Sequence, residues 1–426
     1  MLDIKLIREK PEDVAKAIAR KGADPRLIDD VLRLDHERRA KLAELEKAQS
    51  ELNVRSGEIA KLHGQQKIEA VNEASHYSEK VKELKPEVDR LSNEYHRLML
   101  LVPNPPAADV IDGESDKDNT VNRRWGEPTK FDFKPLDHVE LGEKLDLIDI
   151  SRAAKVAGSR FYFLKNEAAL LEFALIRYTL DILTAEGFIP MIPPVLLNRE
   201  TMMGAGYLPA GEEEIYKTQD ENYLAGTSEQ PLAGYHANEI IEEKVLPLRY
   251  AGFSTCFRRE AGSYGKDVRG IFRVHQFDKV EMFSYTTPAQ SAKEHDRLVS
   301  LEEKIVRGLK LPYQVINIST GDLGAPAAKK FDIETWLPGE NRYRETHSCS
   351  NCTDFQARRL NIRYRNSESK IEVLHTLNGT AVAIGRILIA IMENYQSFDR
   401  AQDKHYIKVP EVLQKYVGFD CVKPRV

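Results

Sequence analysis

The sequence predicts an α+β chain: a long antiparallel helical coiled-coil arm, then a domain in which strands and helices mix. Two observations predict this. Apolar residues recur at heptad spacing between residues 27 and 100, and the composition changes sharply at Pro103-Asn104-Pro105-Pro106. Before that break the chain is charge-rich and helical in pattern. After it come Gly, Pro, Tyr and Trp among short β-branched and aromatic runs. The expected domains are therefore 1–103 and 104–426.

The arm follows from a register count. Ala74, Tyr77, Val81, Leu84, Val88, Leu91, Tyr95 and Leu98 keep an alternating 3,4 spacing without a miss, which favours a left-handed coiled coil. Leu42, Leu45, Leu52, Ile59 and Leu62 form a looser seam upstream, and His63-Gly64-Gln65-Gln66 between them reads as the turn. Two helices of about 35 residues would span about 50 Å. Pro86 removes a backbone donor, at a cost of roughly 3 kcal/mol. A kink is expected there, with the arm retained, because the seam continues on both sides. Residues 27–100 hold 13 Lys and Arg against 15 Asp and Glu, so net charge does not announce RNA. Local patches decide that question, and a dimerisation or spacer coiled coil is the alternative.

In the second domain, Phe257-Arg258-Arg259-Glu260 and Phe272-Arg273-Val274-His275-Gln276-Phe277 read as strands flanking a loop that carries Gly262, Gly265 and Gly270. A hairpin presenting Arg, Glu, Arg and an aromatic ring suits a nucleotide. A guanidinium grips phosphate in a forked geometry, a carboxylate accepts from an amino group, and a ring stacks on a base. Further on, Asn378-Gly379-Thr380-Ala381-Val382-Ala383-Ile384-Gly385-Arg386 runs into an apolar helix whose opening carries one Arg. Earlier, an amphipathic helix around Glu167 to Thr184 stops at Gly187 and leads to a proline-rich strand, Ile189 to Val195, suited to an edge or interface.

In this order the three segments resemble the three motifs of class II aminoacyl-tRNA synthetases. The wording is most similar to the seryl-tRNA synthetase family: Thr227-Ser228-Glu229, His275-Gln276-Phe277, Lys279-Val280-Glu281, Cys349-Ser350-Asn351, Phe355-Gln356-Ala357-Arg358-Arg359 and Leu377-Asn378-Gly379. The resemblance covers nearly the whole chain, from Met1-Leu2-Asp3 onward. It implies a catalytic domain built on an antiparallel sheet flanked by helices, with ATP as substrate and Mg²⁺ as its metal. By resemblance, Arg258 holds the α-phosphate and the substrate carboxylate, Glu260 the adenine amino group, and Val274 the adenine through its backbone. Phe277 stacks on the adenine, and Arg386 covers its other face and reaches the γ-phosphate. Arg259, Thr346 and His347 join the ATP site, while Glu345 and Ser348 hold Mg²⁺.

L-serine falls by resemblance to Thr227, Ser228, Glu229, Arg258, Glu281 and Thr380. A site built around a hydroxyl rejects the analogue lacking it by about 10⁴–10⁵. The resemblance also implies a homodimer, with 167–195 at the interface, and an arm that grips serine tRNA by shape and backbone. Arg33, Arg38, Arg39, Lys41, Lys47 and Arg55 are its candidate phosphate contacts. Lys266 and Arg269 either touch the tRNA acceptor end or remain solvated charges. Whether selenocysteine tRNA is charged stays open.

Composition bounds the rest. A net charge of −5 confines any nucleic-acid contact to patches. Four cysteines do not make a disulfide framework and fit a reducing cytoplasm. No apolar run approaches the ~20 residues of a membrane span, and Asp3, Glu9, Glu12 and Asp13 oppose a targeting signal. Two residues depart from the family pattern: Thr380 stands where Ser is common, narrowing the pocket by a methyl, and His347 stands where a smaller residue is usual. Cys349-x-x-Cys352 beside His347 fits half a zinc site, but the remaining cysteines, Cys256 and Cys421, supply no second pair. Two alternatives compete with the synthetase: an amino-acid ligase that charges a carrier protein, whose relatives lack a long arm, and a coiled-coil interaction protein with a vestigial nucleotide fold.

Overall fold

The computed structural model describes residues 1–261, 267 and 269–425. Gly262, Gly265 and Lys266, singled out above, lie outside them. The chain forms two compact units, Met1–Pro103 and Asn104–Val426.

The first unit has four helices, α1 (Ile4–Glu9), α2 (Pro11–Ala19), α3 (Arg26–Ile59) and α4 (Gly64–Leu101). Asp3 caps α1 by accepting from the Lys5 amide, and Pro11 opens α2 where no donor is needed. The long pair has 34 and 38 residues, or about 50–57 Å at 1.5 Å per residue. None of the seam positions from Ala74 to Leu98 is exposed, and Ala74, Leu84, Val88 and Leu91 are buried. The reversal occupies residues 60–63, slightly ahead of the expected turn. Gly64 opens α4 at φ +59, so Gln65 and Gln66 are already helical. α4 runs through Pro86 as one helix. At the base, Ile7, Val14 and Ile18 of the short helices bury against Ile28, Val31 and Met99.

The second unit is centred on an eight-stranded sheet: β1 (Thr120–Trp125), β2 (Ile189–Met191), β3 (Leu248–Phe257), β4 (Gln276–Thr286), β5 (Tyr313–Asn317), β6 (Lys329–Leu337), β7 (Arg342–Thr353) and β8 (His375–Ala383). Their spatial order is β1-β5-β6-β7-β8-β4-β3-β2. Every pairing is antiparallel except that of β2 with β3. β2 contains Pro190, which has no N–H to give a second neighbour, and it takes the edge.

Helices Asn166–Ala185, Ser291–Gly308 and Ile384–Asn394 share one apolar core with Val280, Met282, Ile333 and Leu377 of the sheet. Each fully buried Leu or Ile there contributes about 1.5–3 kcal/mol. Because strand side chains alternate, Phe277, Lys279 and Glu281 turn to the opposite face, where the cavity lies. Gly187, at φ +86, ends the first of these helices. The Ile384–Asn394 helix is buried along its whole length except at Arg386.

The hairpin differs from its sequence reading in one respect. Its paired strands are β3 and β4, so Arg258, Arg259 and Glu260 lie just past the end of one. Phe272 to His275 lie just before the other, outside any strand. Beyond the ladder one further cross-hairpin bond remains, from the Arg258 N–H to the His275 carbonyl at 3.0 Å.

Candidate active site

A cavity of about 290 Å³ opens above the middle of the sheet. It is lined by Arg258 and Glu260 beyond β3, Val274 just before β4, Phe277 at its start, and Glu281 further along it. Glu345, Thr346 and Ser348 of β7, Thr380 of β8, Arg386 of the following helix, and Thr227 and Glu229 complete it among the sequence candidates. Segments more than a hundred residues apart thus meet in one space.

β7 explains how Glu345 and Ser348 reach the same side. Residues three apart on a regular strand face opposite ways. A bulge between Ile333 and Glu334 of β6 inserts one extra residue, Thr346, into β7 and restores the parity. His347 therefore points away from the cavity. It is buried against Thr346 Oγ1 at 2.9 Å, and burial pushes its imidazole down to about 3. Ser228 is also outside the lining, with Oγ 2.6 Å from Ser254 Oγ. Arg259 is not a lining residue either; its backbone N–H donates to the Glu214 carbonyl.

One end of the cavity is cationic. Arg258 donates from Nε to the Gly226 carbonyl at 3.1 Å, and its guanidinium lies 5.3 Å from the Phe277 ring centre. Arg386 lies 4.6 Å over Phe272 and contacts Glu345 Oε1 at 3.2 Å. The surrounding protein desolvates the Glu345 carboxyl and pushes it up although the side chain is 47% exposed, but Arg386, then Lys330 and Arg258, outweigh this and hold it below the usual carboxylate range. Glu260, at φ +52, receives Arg273 at 2.9 Å.

The other end is anionic. Thr380 sits directly across the β8–β4 ladder from Glu281. Lys279 Nζ is 2.5 Å from Glu281 Oε2, and both side chains are almost fully buried. Glu229 accepts from Tyr207 Oη and from Gln356 Nε2, each at 2.8 Å. Burial and then Glu281 push the Glu229 carboxyl up, against these two hydrogen bonds.

Sequence reasoning missed Tyr207, Lys279, Lys330, Ser350 and Asn378, all of which line the cavity. Lys279 was findable: it sits midway between Phe277 and Glu281 on one strand face. Tyr207 was not, since it follows a helix that carries no motif.

Among the described residues no cluster of three or more His, Cys, Asp or Glu could hold a metal. Cys349 and Cys352 are buried and form no disulfide. The metal candidates Glu345 and Ser348 are oxygen donors with a single carboxylate. That donor set fits Mg²⁺, which usually keeps waters and phosphate oxygens as its remaining ligands.

On α3 most of the basic candidates already have partners. Arg33 reaches Asp30 and Glu37 at 3.3 Å; Arg38 and Arg39 reach Asp35 at 3.4 and 3.6 Å. Arg38 also lies 4.7 Å over the Tyr95 ring. Lys41 contacts Glu44 and Glu87, and Arg55 contacts Glu58 and Glu73. Lys47 is exposed. In the second unit Arg269 pairs with Asp137 at 3.0 Å.

Comparison with known proteins agrees across the whole chain. Residues 1–106 match the seryl-tRNA synthetase N-terminal domain, and residues 215–395 match the class II core domain of the tRNA synthetases for G, H, P, S and T. A serine–tRNA ligase of Dictyoglomus turgidum is 45% identical over 429 residues, covering 100% of both chains. Among solved structures, the seryl-tRNA synthetase of Pyrococcus horikoshii complexed with ATP is 42% identical with a TM-score of 0.90, covering 100% of both chains. The cytoplasmic serine–tRNA ligase of Naegleria fowleri in complex with AMP is 36% identical with a TM-score of 0.86, covering 100% of this chain and 99% of that one. The chain belongs to the seryl-tRNA synthetase family, the serine–tRNA ligases of class II.

Proposed function

We propose that the cavity runs both steps of serine–tRNA ligation. A carboxylate oxygen of L-serine attacks the α-phosphorus of ATP and pyrophosphate leaves. The 3′-terminal adenosine hydroxyl of serine tRNA then attacks the seryl carbonyl and AMP leaves. One observation carries the reading: a cationic half and an anionic half share one small space. Arg258, Arg273, Lys330 and Arg386 against Glu260 and Glu345 give four cations and two anions, a net +2 suited to a triphosphate. Glu229 and Glu281 against Lys279 give a net −1 suited to an ammonium.

Positioning and charge neutralisation supply the rate, with no general base assigned. Arg258 holds the α-phosphate and the serine carboxylate. Phe277 carries the adenine, Arg386 covers its other face and reaches the γ-phosphate, and Glu260 and Val274 read its edge. Glu345 and Ser348 hold Mg²⁺, which offsets phosphate charge when bound. Thr227, Glu229, Glu281 and Thr380 take the serine ammonium and hydroxyl. The ATP and AMP in the solved relatives support ATP as the nucleotide substrate.

Residues 1–103 serve as the tRNA-binding domain, with the α3–α4 arm gripping serine tRNA through its basic side chains. The active form is a homodimer. Phe173, Ile189 and Ile192 are 69%, 52% and 86% exposed on the 167–195 segment, and Leu170 is exposed beside them. Such apolar exposure is the mark of a covered face. No helix among the described residues is long and apolar enough to cross a membrane, and none of the four cysteines is in a disulfide, which agrees with a cytoplasmic site of action.

Serine-dependent ATP–pyrophosphate exchange, paired with tRNA charging, tests the reading. Removing residues 27–100 should abolish charging while exchange persists. Absence of serine-dependent exchange in the full chain would contradict the proposal.

A further inference from the structure

Two carboxylates face the anionic end, and they are held differently. Glu281 has a lysine at contact distance, so much of its charge is already answered. Glu229 is 7% exposed and takes hydrogen bonds from two neutral groups, the Tyr207 phenol and the Gln356 amide. Neutral donors fix a carboxylate in place without cancelling its charge.

The amide orientation is determined by its surroundings. Gln356 is fully buried; its Nε2 also donates to the Ala205 carbonyl at 3.0 Å, and its Oε1 accepts from Thr376 Oγ1 at 2.7 Å. Only one flip state satisfies all three contacts. One helix end supports both partners. Helix Arg199–Ala205 closes at Gly206, φ +94, offering the Ala205 carbonyl to Gln356 and turning Tyr207 toward Glu229.

We propose that Tyr207 and Gln356 are positioning residues that hold Glu229 ionised and aimed at the ammonium of serine. The inference rests on the reading of Glu229 as a serine-binding residue. The charged groups around Glu229 are Glu281, which opposes its ionisation, and Lys279, which favours it; Arg258 also borders the Tyr207 phenol. Without the two donors, burial and Glu281 act on Glu229 with less opposition. Its proton is then retained to higher pH, and the ammonium loses its anionic partner.

The test is serine-dependent pyrophosphate exchange by the full-length protein from about pH 5.5 to 9. It compares Tyr207→Phe, Gln356→Leu and Glu229→Gln with the parent. The expected result for the first two is a rise in KM for serine of about 10-fold, the size of a lost hydrogen bond to a charged group. KM for ATP should stay within about twofold, and the acid limb of kcat/KM for serine should move up by about one pH unit. A merely structural role would worsen both KM values together and leave the acid limb in place. If Gln356→Leu fails to fold, Tyr207→Phe decides alone. Parental serine KM and an unmoved acid limb in Tyr207→Phe, with KM raised in Glu229→Gln, would overturn the inference and leave Glu229 as a serine ligand. Parental serine KM in Glu229→Gln would overturn both.

Discussion

The arm and the cavity use the same side chains, Arg and Glu above all, to opposite ends. Along α3 the pairs are mostly local and solvated. Arg33 is 57% exposed between Asp30 and Glu37, one turn away on either side, and Arg55 meets Glu58 three residues on. Such pairs contribute about 0.2–1 kcal/mol at most. In the cavity many of the partners come from segments distant in sequence, and charge is left in surplus. Arg258 leans on a carbonyl and a ring, and Glu229 leans on neutral donors. Sequence-local pairing keeps charge balanced along the helix that carries it. Sequence-distant pairing with leftover charge makes a binding site, because the surplus is available to a ligand.

The largest expected effect tests the surplus at the cationic end. Arg258→Ala should lower serine-dependent exchange by about 10²–10³-fold, the cost of removing one preorganised charge-stabilising donor. A loss below tenfold would place the α-phosphate elsewhere. Next, Glu345→Ala should cost about 10²-fold and raise the Mg²⁺ concentration needed for half-maximal exchange. An unchanged Mg²⁺ titration would remove Glu345 from the metal.

His347 probes the far side of the same strand. Its folded value is about 3 against the ordinary 6.5, so between those limits the unfolded chain binds more protons and stability falls as pH falls. Relative to His347→Gln, the parent should lose about 2 kcal/mol of unfolding free energy between pH 6.5 and 5, read from urea midpoints. A constant difference would mean the imidazole is not buried neutral.

The arm should respond least. Lys47→Ala with Arg55→Ala should lower kcat/KM for tRNA by about tenfold at low salt, with the gap closing as salt rises. A salt-independent loss would indicate a folding defect instead of phosphate contact.

The arm was legible because the seam repeats every seven residues for four turns and more, and each repeat checks the last. Its tip shifted by a few residues since turn chemistry is short and local. The cavity was legible only where family wording carried it. Glu345 and Ser348 could not be placed on one face by alternation, since their spacing of three requires the Thr346 bulge. His347, one residue before Ser348, was counted with the site for the same reason. Tyr207 carries no signal at all, and Gln356, although inside the quoted Phe355-Gln356-Ala357-Arg358-Arg359 motif, had no readable role, because the importance of both lies in a side chain contributed by another segment. The hairpin's strand limits were misjudged because Phe272 to His275 have strand-like composition yet lie outside the regular ladder.

The central claim, that one cavity holds a triphosphate against a hydroxymethyl amino acid, is tested most directly by the amino-acid dependence of pyrophosphate exchange. Serine should exceed alanine in kcat/KM by about 10⁴-fold or more, because alanine leaves the buried hydroxyl-binding groups unpaired. Alanine within a hundredfold of serine would contradict the account.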